Sequence, residues 1–321
     1  MALMLTTLRA CNELCCCAIG FDHRGRPARS TLISRAAYGL DCDIRRYEAI
    51  RMKLSITGVR LELGRVLTQQ SSRLQDGSAH VNLSGQQANT LLHDGQAWKE
   101  FPRTALGATR RAIHVACTAG AAMFVHASFA FVYAVERGAK IDEPLRSCVD
   151  AILECEALAM SGPLPACVVR LGYMYGPESA DLLAYRKAFL LGRPYWSGLA
   201  DARQYHLHQH DAASALLAVA RPRNAGGIYY ATGGHAISFE HFMDAFAHRV
   251  GRRRPLHFPL LSHLIARAII REEHMQQTAL GMPPRAPSPR VPGWKPRFPD
   301  FRKGFDQVIE AWHDERDARL K

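Results

Sequence analysis

Two stretches of the chain carry its densest apolar patterning. Residues 123–134 (MFVHASFAFVYA) and 166–177 (ACVVRLGYMYGP) are near-continuous apolar runs that end in small or polar residues. A parallel strand buried on both faces has that composition, and its C-terminal end opens on a ligand crevice. Residues 53–57 form a short β-rich run, Gly58 follows, Gly64 comes six residues later, and residues 65–74 read as a helix. Strand, glycine turn, helix is the context of a dinucleotide-binding turn. Residues 79–83 (AHVNL) read as a further strand, and residues 105–119 carry apolar positions at helical spacing (Ala108, Ala112, Val115, Ala119). Helices are also predicted over 150–158, 181–192, 237–250 and 305–312. In the third of these Ser238 is the N-cap, and Phe239, Phe242, Phe246 and Val250 make the apolar stripe. Strands alternating with helices specify an α/β fold built on a parallel sheet.

Composition narrows the picture without redirecting it. With 321 residues, 48% of them hydrophobic and 22% charged, the chain can bury a sizeable core. No apolar run reaches the length of a membrane span, so no membrane partner is expected. The formal net charge is +12, concentrated in 249–254 (RVGRRR) and 283–303. No zinc-finger or other short nucleic-acid motif accompanies that charge, so it reads first as a solvated basic face, with nucleic-acid binding as a remote alternative. The nine cysteines match neither a zinc-ligand spacing nor a disulfide scaffold. Cys117, Cys155 and Cys167 read as buried small hydrophobes, and a reducing cytoplasm is the expected location. Residues 1–51 lack helical or strand periodicity and a basic signal-peptide head; they read as a poorly ordered leader or extension, with an Arg-rich transit peptide as the alternative.

Several segments then resemble one family. These are Thr57-Gly58-Val59-Arg60-Leu61-Glu62-Leu63-Gly64, the strand end Ser128-Phe129-Ala130-Phe131-Val132-Tyr133-Ala134, the segment Tyr205-His206-Leu207-His208-Gln209-His210-Asp211, and the terminal Gly293-Trp294-Lys295-Pro296 with the following Phe298…Phe301…Gly304 spacing. Together they resemble an atypical extended short-chain dehydrogenase/reductase of the NAD-dependent epimerase/dehydratase group, over residues 52–313. The resemblance implies a Rossmann-like doubly wound parallel sheet with a smaller C-terminal substrate domain. Residues 52–175, with 206–225 returning to them, would bind NAD or NADP, and 176–321 would mainly hold a small-molecule substrate. A homodimer is the assembly considered. The cofactor positions it implies are Thr57, Gly58, Gly64, Leu83, Ser84, Gly85, Ala127 and Gly172. The substrate positions are Ser128, Phe129, Tyr173, Trp196 and His208, and the catalytic candidates are Ser128 and Tyr133.

The departures from the family pattern matter as much. The glycine that lets the backbone approach a pyrophosphate is Leu61, and Glu62 would repel an anion at the helix N-terminus. About 40 residues separate the family's first and fourth strands as two further βα units, and here they are missing. The sheet therefore lacks strands on one edge, or the leader substitutes for them; the residue that distinguishes NAD from NADP is not identifiable. Phe129 stands at the catalytic hydroxyl position, and no Tyr-x-x-x-Lys occurs anywhere. Cys148 falls at the tyrosine position and Ile152 at the lysine position, and isoleucine cannot replace an ammonium. Tyr133, His126, Ser128 and Tyr173 are the substitute acids. Strand alternation would set His206, His208 and His210 on one face, a geometry open to a metal. The family match accounts for His208 and Asp211 without one, so no metal is expected. Gln204 replaces an arginine that often binds a substrate diphosphate. Two readings follow: an NAD(P)-linked oxidoreductase or epimerase-type enzyme with a non-standard active site, or a non-catalytic ligand sensor or scaffold.

Overall fold

The computed structural model describes residues 54–58, 61–71, 79–86, 95–141, 143, 145–191, 195–197, 203–258, 282, 287 to 319. All of them belong to one compact unit, Ala49–Lys321. The leader at 1–51 lies outside the described residues.

The first half alternates strand and helix: β1 (Leu54–Thr57), α1 (Glu62–Ser71), β2 (Ala79–Asn82), α2 (Gly95–Thr118), β3 (Met123–Phe129), the short α3 (Val132–Glu136), α4 (Leu145–Met160) and β4 (Ala166–Leu171). The second half contributes β5 (Tyr173–Tyr175), α5 (Ala180–Leu191), β6 (Tyr195–Ser197), β7 (Arg203–His208), α6 (Gln209–Val219), β8 (Ile228–Ala231), β9 (Ala236–Ser238), α7 (Phe239–Arg249), β10 (Leu256–Phe258) and α8 (Phe301–Arg319). Five strands form a parallel sheet in the order β1-β2-β3-β4-β8. This is the Rossmann-like α/β architecture with helices on its faces. Among the described residues β1 is an edge strand of this sheet. β5, β7 and β9 form a second sheet, and β6 pairs with β10. No helix among the described residues is long and apolar enough to cross a membrane.

Burial explains the two apolar runs. Every residue of β3 and of β4 is buried. Helices α1 and α6 pack on one face, where Leu63, Leu67, Val81, Val125, Val169 and Leu216 share a core. Each such side chain contributes roughly 1.5–3 kcal/mol by leaving water. Helix α4 packs on the other face through Cys148, Ile152 and Cys155. The C-terminal core is aromatic: Phe239, Phe242 and Phe246 of α7 meet Phe301, Phe305 and Trp312 of α8. Ser238 caps α7 as its spacing predicted, its hydroxyl accepting from the His241 N–H at 3.2 Å.

Four expectations are corrected. The 123–134 run is strand only to Phe129, and Tyr133 sits on α3 rather than at the strand end. The 166–177 run breaks at Gly172, where β4 hands over to β5 in the other sheet. A Cβ on Gly172 would lie 2.4 Å from the Tyr205 carbonyl oxygen, so the crossing requires glycine. Finally, β7 ends at His208 and His210 lies in the first turn of α6, so strand alternation carries only His206 and His208. Helix α2 also starts ten residues before its predicted start, running through Pro102, a residue type that removes one helical hydrogen bond.

Candidate functional site

The glycine turn after β1 opens on a cavity. Gly58 has φ +89°, a conformation reserved for residues without a side chain. The Leu61 N–H closes the turn on the Gly58 carbonyl at 3.0 Å, and the Leu83 N–H bonds the Thr57 carbonyl at 2.9 Å. Thr57, Gly58, Leu61 and Ser84 form one wall of a cavity of about 570 Å³. Phe101, Thr104, Ala105, Ala108 and Arg111 of α2 are among the residues of the other. The small α2 residues at helical spacing make the room. The Ser84 hydroxyl oxygen is buried and has no hydrogen-bond partner among the described residues. Polar side chains of β1, β2 and β3 pair with one another: Thr57 Oγ1 with His80 Nε2 at 2.9 Å, His80 Nδ1 with Ser55 Oγ at 3.0 Å, and Asn82 Nδ2 with His126 Nδ1 at 3.0 Å. Burial pushes both His80 and His126 down to about 4, so both are neutral at pH 7.

Whether these residues suit a dinucleotide divides along the crevice. A Cβ on Gly58 would meet Leu61 Cδ1 at 3.2 Å and Leu83 Cβ at 3.1 Å. The Leu61 side chain thus lies over the turn, where a pyrophosphate would need bare backbone. The α2 wall, apolar with Thr104 and Arg111 added, still suits a flat, hydroxylated nucleoside. The positions that the family resemblance gives to the nicotinamide end are apolar. Phe129, Cys148 and Ile152 are buried in one apolar cluster with Phe101, Ala105 and Val132. Phe101 meets Phe129 edge-on at 6.0 Å. The chain that leaves β2 abuts this cluster, since a Cβ on Gly85 would lie 3.5 Å from the Phe101 ring. The three positions that the family resemblance assigns to proton transfer are therefore a packed core.

One turn beyond Ile152, the same helix becomes polar. Glu156 Oε1 accepts from Ser128 Oγ at 2.5 Å and from Arg170 Nε at 2.9 Å, while Oε2 accepts from a terminal nitrogen of Arg170 at 2.7 Å. Arg170 also donates to both carboxylate oxygens of Glu136 (2.7 and 2.8 Å) and to Tyr230 OH (2.7 Å). Burial alone would lower the guanidinium; the bonds to Glu156 and Glu136 outweigh it and hold Arg170 above its usual range. Ser128 is spent in this network. Tyr133 instead packs edge-on against Tyr230, with ring centroids 5.6 Å apart.

The remaining expected positions separate in the same way. Of the cofactor set, Thr57, Gly58 and Ser84 line the cavity; Leu83 and Ala127 are core residues, Gly64 is buried in α1, and Gly172 serves the strand crossing. Tyr173 OH donates to Asp181 Oδ2 at 2.6 Å, and burial with Asp181 beside it raises the phenol well above its usual range. His206 stacks on Phe242 at 3.9 Å, and burial pushes it down to about 3. His208 Nδ1 accepts from the His210 N–H at 3.2 Å, and its Nε2 pairs with Gln307 Oε1 at 3.0 Å. Burial, then His210, holds His208 at about 3. Asp211 clamps the terminal segment by accepting from the Arg297 and Phe298 N–H groups at 2.7 and 2.8 Å. Trp196 lies on β6, opposite His257 of β10, and its side chain is outside the described residues. Among the described residues no group of three His, Cys, Asp or Glu could hold a metal ion.

Two features escaped the sequence reading. The α2 wall of the cavity has a signal in its alanine spacing, which alone specifies only a helix. Arg170 had a sharper one: a charged residue inside an apolar strand is buried only when paired.

Solved structures share this architecture. A human epimerase family protein, solved with NADPH, is 19% identical, covers 81% of this chain and 99% of its own, and has a TM-score of 0.60. A UDP-glucose 4-epimerase from Thermotoga maritima, solved with UDP-glucose, is 12% identical over 82% of this chain and 99% of its own, with a TM-score of 0.58. A dTDP-glucose 4,6-dehydratase from Bacillus anthracis, solved with NAD, is 13% identical over 84% of this chain and all of its own, with a TM-score of 0.59. No family model matches the chain, and no curated protein matches its sequence. At these identities the likeness is one of fold.

Proposed function

We propose that this chain is a non-catalytic relative of the epimerase/dehydratase enzymes, a binding protein whose crevice takes the adenosine half of an NAD(P)-type dinucleotide. The observation that carries this reading is the packing of Phe129, Cys148 and Ile152 with Phe101. A proton relay needs a hydroxyl, a phenol and an ammonium at those positions, and the cluster offers none of them. The substitute acids do not repair the loss. Ser128 is bonded to Glu156, and a phenol held as high as Tyr173 is a poor acid or base near pH 7. The cavity beside Gly58 and the unpartnered Ser84 hydroxyl support retained ligand binding. In this reading residues 52–175, with 206–225, carry the crevice, and the chain works in the reducing cytoplasm, which suits the free thiols Cys117, Cys155 and Cys167.

The test is a titration with NADH and NADPH, followed by fluorescence, alongside a screen for cofactor oxidation with carbonyl and sugar-nucleotide substrates. The expected result is saturable binding with no substrate-dependent oxidation. Turnover that disappears in Tyr173→Phe or Tyr133→Phe would overturn the proposal in favour of an enzyme with a non-standard acid. Absence of binding at millimolar cofactor would overturn its binding half.

A further inference from the structure

A second cavity, of about 680 Å³, lies at the C-terminal end of α7. Its lining includes His248, Arg249, Arg252, Arg253, Arg254 and Arg302. Local structure explains the crowding. Gly251, at φ +66°, ends the helix: its N–H bonds the His248 carbonyl at 3.1 Å, and the Arg252 N–H bonds the Ala247 carbonyl at 2.8 Å. The chain reverses there and brings three consecutive arginines beside the last turn of α7. The partial negative charge of that helix end offsets some of their repulsion.

The pairing of these charges is incomplete. Arg249 reaches Asp306 at 2.8 Å, Arg254 reaches Asp244 at 3.4 Å, and Arg302 reaches Asp300 at 3.7 Å. Arg302 also donates to His241 Nε2 at 2.8 Å. Arg252 and Arg253 are exposed and form no ion pair among the described residues. The partners of Arg249 and Arg302 are about half exposed, so those pairs are weak and their cations can be recruited. Among the described residues Asp244 is the one carboxylate that lines the cavity.

We propose that this cavity binds a small molecule bearing a phosphate or diphosphate group, with Arg252 and Arg253 as its principal partners. A guanidinium presents two parallel N–H donors that match two phosphoryl oxygens, and several forks converge here on one concavity. The volume falls within the range of small-molecule sites. Among the described residues no Phe, Tyr or Trp lines the cavity, so the large stacking platform of a single-stranded nucleic-acid groove is not seen there. The proposal does not depend on the crevice beside Gly58.

The test is calorimetry of the full chain with inorganic phosphate and pyrophosphate at low salt. Pyrophosphate should bind more tightly than phosphate. R252A/R253A should weaken pyrophosphate binding at least about tenfold without moving the melting temperature, both side chains being exposed. R252K/R253K, which keeps the charge and loses the fork, should fall between. R221A/R223A, an exposed pair outside the cavity, should leave binding unchanged. Equal losses in the two alanine pairs would overturn the proposal by showing only diffuse attraction. So would absence of pyrophosphate binding at millimolar concentration. Tight binding of a mixed-sequence oligonucleotide with a steep salt slope, and none of pyrophosphate, would assign the surface to nucleic acid instead.

Discussion

Helix α4 carries two buried regions that differ in one respect. Cys148 and Ile152, a turn apart, sit in an apolar cluster; Glu156, one turn further, sits in an ion-pair network with Ser128, Arg170, Glu136 and Tyr230. The spacing i, i+4, i+8 puts all three on one face, so the helix itself does not distinguish them. The difference lies in what each region can lose. Replacing a proton-transfer group by an apolar side chain removes a desolvation penalty, and Phe129 and Phe101 fill the space. Removing one member of the Arg170 network would strand a buried charge. The packing of the apolar cluster is thus separable from the ion-pair network, although both lie on one face of the same helix.

The largest expected effect tests the polar side. Glu156→Ala should cost about 3–5 kcal/mol, because half of the Arg170 forks lose their acceptor in the core. Denaturant unfolding measures it, and a loss under about 1 kcal/mol would show that the network is decoration. On the apolar side, Phe129→Ala should cost about 3 kcal/mol or slightly more by leaving a cavity against Phe101. If Phe129→Ser folds with no loss, the cluster is not the closed core described above.

The histidines sharpen the comparison through pH. His80 and His126 are held at about 4, His206 and His208 at about 3, all below the ordinary 6.5. Between those values and 6.5 the unfolded chain binds more protons than the folded one, so stability falls as pH drops from 7 towards 4. Each fully buried histidine contributes up to ~1.4 kcal/mol per pH unit in that window. His206→Phe, which keeps a ring stacked on Phe242, should flatten the profile measured by thermal unfolding between pH 7 and 5. An unchanged slope would mean that His206 is not buried in its neutral form. The smallest effect belongs to Leu61→Gly. It should tighten nucleotide binding about three- to tenfold, roughly 1 kcal/mol, by clearing the turn; unchanged affinity would place the ligand elsewhere.

The strands, the glycine turn and the C-terminal aromatic helices were legible because each is written in local periodicity or in a short turn signal. The burial of Phe129, Cys148 and Ile152, the positions that the family resemblance assigns to the relay, was legible too from their apolar character. Three things were not. Tyr133 left the strand because an apolar run does not reveal where it bends into a helix. Gly172 read as a ligand position because close approach of a backbone looks the same in sequence whether the visitor is cofactor or protein. The partners of Arg170 come from positions 136, 156 and 230, and no local pattern joins them.

The most direct measurement compares the affinity of NADH with that of ADP-ribose for the same protein preparation. If the nicotinamide end meets only the Phe129–Cys148–Ile152 core, the two should bind within about threefold of each other. NADH binding more than about tenfold tighter would show that the nicotinamide half is held, and would contradict the account.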